Sequence, residues 1–322
     1  MPADSPHEAG AQARSRRIGP VNPLPAVVVV GHVCIDEIVA ASGTSRTVGS
    51  PAVFISPVLR ECGLQTAVIA PYGRDFIEME HDLDLLPSSQ ADCTLVFVND
   101  IRGTRRTQAV RNAEYALLQG PDQAELEALG GAQALIVTPL LPDPSADILR
   151  EYGAALPAGA LRVILLQGYL RRLSIHPDAR GNTPVIHREL AEIDALLPLF
   201  DVAVLSDEDL SGDVDGTVSA WSAAHPESAM VVTRGAQGAS VFEAGVRTDA
   251  PAHDVGPLPA EALVGAGDIF SAELAAALLA AGPVRSLAPA VATANHATAL
   301  RLAARRDRSA GDAPRVLAPA IT

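Results

Sequence analysis

The feature that most constrains the fold is a series of short, unbroken apolar runs, each closed by a turn residue and spaced by enough chain for a helix. AVVVVG (26–31) is the first, and TAVIA (66–70), ALIVT (134–138), RVILLQ (162–167), VAVLS (202–206) and AMVVT (229–233) follow. A run with no polar alternation is a strand buried on both faces, which happens when helices cover both sides of a parallel sheet. Strand alternating with helix predicts an α/β fold: a three-layer αβα sandwich with a central, mostly parallel sheet.

One region breaks the rhythm. Between Cys93 and Arg111, TLVFV and TRRTQAV are β-prone and joined by NDIRG, and the second alternates polar with apolar residues, so the pair reads as an antiparallel hairpin. With IVAASGTSRTV (38–48) it forms a small projecting sheet, a β lid drawn from about 37–48 and 93–112. The main domain is expected over 26–304. Residues 1–25, polar and Pro-rich, and 305–322, without periodicity, read as a disordered extension and a flexible tail.

Charge narrows the function. A net charge of -14 argues against a basic face for nucleic acid or anionic lipid. All 24 basic residues are arginines, which excludes a Walker lysine, a pyridoxal-phosphate Schiff base, a lysine-nucleophile aldolase and the protein-kinase strand lysine. Cys34, Cys62 and Cys93 are too scattered for a disulfide framework or a Cys-x-x-Cys site, and the eight histidines show no zinc spacing. No leader and no breaker-free run of 18 apolar residues is visible, so a cytoplasmic chain with no membrane partner is expected.

The sharpest chemical signal is ALVGAGDIFSAELAAALLAAG (262–282). Apolar and small residues run at helical spacing after Asp268, so Gly265, Ala266 and Gly267 form a tight turn at a helix N-terminus, where unpaired N–H groups and the helix dipole suit an anion. A glycine turn with Asp268 as an ordinary cap is the alternative.

GAGD before a long helix resembles the signature of the PfkB, or ribokinase-like, carbohydrate and nucleoside kinases. The resemblance runs from about Val27 to Leu300 and implies ATP and Mg2+ as cofactors. It makes Asp268 the base for the acceptor hydroxyl, and Gly265, Ala266 and Gly267 the anion hole for the transferred phosphate. Phosphoryl transfer asks for just this: positioning, charge neutralisation and a base on the nucleophile. GHVCID (31–36) places Asp36 where relatives bind substrate hydroxyls, and VGSPAVFISPVLRECG (48–63) resembles the sugar loop, with Gly49 and Ser50 near the substrate. VVTRGAQGASVF (231–242) resembles the strand and turn bordering the nucleotide, giving Thr233, Arg234, Gly235 and Gly238, although a plain hairpin turn fits it too. LSDEDL (205–210) stands at the family's Asn-x-x-Glu, giving Ser206 to the cofactor and Asp209 to the metal, with an acidic capped helix start as the other reading. Asn295 matches an Asn near the adenine. ILLQGYLRRL (164–173) is similar to inositol-kinase-like members and adds Gln167 and Arg171, with Tyr169, to the acceptor side; Arg105 or Arg106 could reach down from the lid.

The chain departs from the family pattern at Val48, where the first Gly of the sugar loop would stand, at Val53 for a polar residue, at Ala262, Leu263 and Val264 for Asp-Thr and its monovalent-cation site, and at Glu273 for a small residue. The expected activity is ATP-dependent phosphorylation of a hydroxyl on a small polyol, sugar or cyclitol, with a homodimer through the lid left open. A nucleoside kinase and a non-catalytic ligand-binding relative are the alternatives.

Overall fold

The computed structural model describes residues 24–40, 43–87, 90–102, 105–282 and 287–311. The first strand, β1 (Val27–Gly31), is buried along its whole length. Val27 and Val29 point into one apolar cluster and Val28 and Val30 into another. Each fully buried valine contributes about 1.5–3 kcal/mol, so β1 is stable only between two helical layers.

The main sheet runs in the order β14 (Val246–Ala250), β13 (Ala239–Glu243), β12 (Ala229–Thr233), β11 (Val202–Ser206), β8 (Leu161–Leu165), β7 (Ala134–Thr138), β1, β4 (Thr66–Ile69). Pairing is parallel from β4 through β12 and antiparallel for β13 and β14. One face carries α1 (Pro51–Glu61), α7 (Ala266–Ala280) and α8 (Leu287–Gly311). The other carries α3 (Gln123–Gly130), α4 (Ala146–Ala154), α5 (Ile193–Leu196) and α6 (Val214–Ala224). The short α2 (Arg74–Ile77) adds Phe76 to the first layer. Residues 260–280 are long and apolar enough to cross a membrane, yet half of that stretch is buried inside the fold, as the core position of α7 requires.

The lid is a six-stranded sheet in the order β3 (Gly43–Gly49), β2 (Cys34–Ala40), β5 (Leu95–Arg102), β6 (Arg105–Arg111), β10 (Thr183–His187), β9 (Arg171–Leu173). The expected hairpin is present, with Val98 opposite Ala109 and Asn99 opposite Gln108. The segment expected as one piece over 38–48 is the end of β2 and most of β3, paired antiparallel. β9 and β10 were not foreseen: RRL and TPVIH are too short to show a period of two, and pairing of β10 with β6, and of β9 with β10, makes them strands.

At the ends, residues 1–23 and 312–322 lie outside the described residues. The tail expected from 305 begins as helix, because α8 continues to Gly311. AARRDR holds no breaker, and Arg305 and Arg306 donate to the carbonyls of Val264, Val255 and Pro257.

Candidate active site

Gly265 caps α7 with φ 73, the left-handed region that favours glycine. A Cβ here would also lie 2.5 Å from the Phe54 ring of α1, so conformation and space both demand glycine. Ile269 N–H donates to Gly265 O at 2.9 Å and starts the helix. The N–H groups of Ala266, Gly267 and Asp268 meet no protein acceptor among the described residues. A Cβ on Gly267 would meet nothing within 4 Å, so the turn opens outward. The result is a cluster of unbonded donors at the positive end of a 15-residue helix.

Asp268 stands in the first turn of this helix and keeps some exposure, but protein crowds its carboxyl. Burial raises its pKa to about 7; the Arg171 guanidinium opposes the shift and the Asp209 carboxylate adds to it. A carboxyl poised there can be ionised at neutral pH and still take a proton.

Arg171 opens β9, which follows the turn after β8 where Leu166–Gly168 bend the chain. Gly168 permits the bend, since a Cβ would meet Pro139 O at 2.6 Å. Arg171 Nη1 donates to Leu140 O at 3.5 Å, and its Cζ lies 6.0 Å from the Phe97 ring centroid on the lid. Leu140 N–H is in turn held by His32 Nδ1 at 3.1 Å, and burial keeps His32 neutral by lowering its pKa to about 4.

Asp209 is held by Ser206 N–H at 2.9 Å, while Ser206 Oγ accepts Glu208 N–H at 3.2 Å, a capping box. Burial raises the Asp209 pKa, against the Ser206 N–H, Arg171, a Gln167 hydrogen bond and His187. Gln167, Arg171, Asp209 and Asp268 are therefore one cluster. No group of three or more His, Cys, Asp or Glu side chains among the described residues could hold a metal alone. Magnesium commonly takes one or two protein carboxylates and completes its shell with phosphate oxygens and water, which Asp209 beside Asp268 fits.

The lid supplies the other wall. Asp36 on β2 accepts from buried Asn99 at 3.3 Å, and Gln108 donates to Asn99 at 3.0 Å. This polar row shares its face with Phe97, as the strand registers require. Gly49 is obligatory beside it, since a Cβ would sit 2.3 Å from Asp36 Oδ2. Asn99 and Gln108 were not foreseen, their only signal being alternation within the hairpin.

Other expected residues are placed but occupied. Ser50 caps α1: its hydroxyl donates to His32 O and accepts Ala52 N–H, each at 3.0 Å. Tyr169, expected on the acceptor side, is buried with its hydroxyl on Pro144 O. Thr233 Oγ1 donates to Leu205 O at 3.4 Å. Arg234 pairs with Asp215 and donates to Ser240 Oγ at 2.7 Å. Gly235 and Gly238 both have positive φ in the β12–β13 turn. Asn295, 8% exposed, donates to Ala250 O at 2.8 Å and so ties α8 to the end of β14. Glu273 is buried but paired with Arg301, which also bonds Glu61, so its charge stays within the helix layer. Arg105 lies on β6, and its side chain is outside the described part of the structure.

No family model matches the chain, and no curated protein matches its sequence. Solved structures do match. A pyrophosphate-dependent kinase in the ribokinase family, solved with sulfate, is similar at TM-score 0.61 and 16% identity, over 86% of this chain and 95% of that one. The adenosine kinase of Sinorhizobium meliloti is similar at TM-score 0.61 and 13% identity, over 89% and 99%. A sugar kinase of Pyrococcus horikoshii solved with ATP is similar at TM-score 0.57 and 16% identity, over 85% and 91%. The chain has the ribokinase-like fold, an αβα sandwich under a β lid.

Proposed function

We propose that this chain transfers the terminal phosphoryl group of ATP to a hydroxyl of a small polyol, a sugar or cyclitol. The observation that carries the reading is Asp268, a carboxyl with pKa about 7 at the head of a helix whose first N–H groups are unbonded, facing Arg171 and Asp209. Asp36, oriented by Asn99, would hold acceptor hydroxyls, and Asp268 would take the proton of the reacting one. The N–H groups of Gly265, Ala266 and Gly267 would receive the equatorial oxygens of the transferred group, where charge is greatest. Arg171 would balance the carboxylates on one side and the incoming phosphate on the other. Magnesium bound at Asp209 would supply charge neutralisation on the donor phosphates. The hydroxyl-rich acceptor follows from the Asp36–Asn99–Gln108 row, because buried groups built for hydroxyls are left unpaired by analogues that lack them.

A specific observation favours a second donor. Arg234 and Asn295, the side chains expected to meet a nucleotide, are committed to Asp215, Ser240 and backbone carbonyls. A donor recognised through phosphate alone, such as pyrophosphate, needs neither. The test crosses ATP and pyrophosphate with ribose, fructose, myo-inositol and adenosine, reading ADP or phosphate release that depends on the acceptor. Turnover with a polyol supports the reading, preference for adenosine replaces the acceptor class, and no turnover with any pair removes it.

A further inference from the structure

The turn that presents the anion-hole donors is gripped from behind. Arg305 on α8 donates from Nη1 to Val264 O at 2.9 Å. That carbonyl belongs to the same peptide unit as the Gly265 N–H, the first donor of the turn. The guanidinium also lies 5.3 Å from the centroid of Phe54, the ring against which Gly265 is packed. Three groups thus meet behind the phosphate site: a half-buried cation, an aromatic ring that fits only glycine, and the carbonyl end of the first anion-hole peptide.

A charge-assisted hydrogen bond at a carbonyl draws electron density from its amide and makes the N–H on the other end a better donor. The positive charge also stands on the carbonyl side of that peptide, where it favours an anion at the N–H end. The chain has no lysine to do this work, and Arg301 beside it is already taken by Glu61 and Glu273. Resting on the phosphoryl-transfer reading of this site, we propose that Arg305 is the fixed cation of the phosphate site, a positioning residue that acts through the Val264–Gly265 peptide. It touches neither donor nor acceptor, and its effect falls on donor binding and on the transferred group, not on the polyol.

Arg306 provides the control, since it bonds the Val255 and Pro257 carbonyls of the same approach loop without reaching the turn. The experiment measures pyrophosphate and ATP affinity by calorimetry in the full chain, with magnesium, for the wild type, Arg305→Gln, Arg305→Lys and Arg306→Gln. Steady-state kinetics follow on the same proteins. Arg305→Gln should weaken donor affinity about five- to tenfold and lower kcat while leaving the acceptor KM unchanged. Arg305→Lys should recover at least half of that loss in logarithmic terms, and Arg306→Gln should stay within about twofold of wild type. Free guanidinium ion should partly restore Arg305→Ala. Unchanged donor affinity in Arg305→Gln overturns the inference alone, as does an equal loss in Arg306→Gln, which would make loop anchoring the cause. A wild type that binds neither donor overturns the phosphoryl-transfer reading and this inference with it.

Discussion

Two glycine turns at the edge of the main sheet were expected to hold the phosphate donor, and they solve their polar bookkeeping in opposite ways. The turn at 235–238 closes on itself: Arg234 N–H donates to Gly238 O at 2.7 Å, and its guanidinium joins Asp215, Ser240, Asp249 and Arg247 in one network. The turn at 265–267 leaves donors unmade, holds glycine at φ 73 against an aromatic ring, and keeps a carboxyl at a pKa of about 7. Similar composition thus produces a closed structural joint in one place and, on the proposed reading, a reactive one in the other. The distinguishing mark is polar capacity that the fold leaves unspent.

The comparison breaks first at Asp268. Asp268→Asn should keep the fold and donor binding but lose phosphoryl transfer about 100- to 10,000-fold, the range for removing a general base; near-normal single-turnover rates would end its role. Next comes Gly265→Ala, which forces an L residue to positive φ and drives a methyl into Phe54. It should cost about 1–2 kcal/mol of stability from the backbone alone and lower donor kcat/KM at least about tenfold, measured by chemical denaturation and initial rates.

A subtler break uses pH. Since Asp268 must be ionised to accept a proton, kcat/KM should rise with pH along a limb near 7. Arg171→Gln removes a charge that favours the carboxylate and should move that limb up, whereas Asp209→Asn removes a like charge and should move it down. Limbs that stay put in both variants would dissolve the cluster. Stability follows by linkage. The folded pKa of Asp268 lies above its ordinary value of 3.8, so the folded state holds the proton longer. Stability from this group is full below about 4 and is lost as pH rises toward 7. Asp268→Asn should therefore melt about 2–4 °C higher than wild type at pH 8, with the gap closing at pH 4.

The smallest kinetic effect is expected at the closed turn. Arg234→Gln should change donor KM by less than about threefold, because its charge is already paired, while lowering Tm by about 2–4 °C. A large rise in donor KM would show that the network opens to receive a nucleotide, and the contrast between the turns would have to be redrawn.

Much of this architecture was legible in the chain because it rests on local or strongly periodic signals. Four consecutive valines closed by glycine read as a doubly buried strand, and a glycine turn before an apolar helix reads as a helix N-terminus. Gln167, Arg171, Asp209 and Asp268, candidates read from the chain, also influence one another's charge in the fold. The occupancy of the remaining expected residues was not legible. Ser50, Tyr169, Arg234 and Asn295 are polar and correctly placed in order, but each finds a partner between 18 and 45 positions away in sequence, and no window of sequence shows such a partner.

The sequence by itself determined the layer order, the lid and the turn that leaves N–H groups unbonded at a helix start, since burial period, turn chemistry and helix polarity are properties of neighbouring residues. Tertiary structure alone decided which polar groups remain available. It brought Asn99 and Gln108 into line with Asp36, placed the Arg171 charge where it acts on both Asp209 and Asp268, and carried Arg305 across 41 positions to the carbonyl behind Gly265. Hydrogen-bond capacity and desolvation depend on what packs around a group in space, so reactivity was settled where distant segments meet.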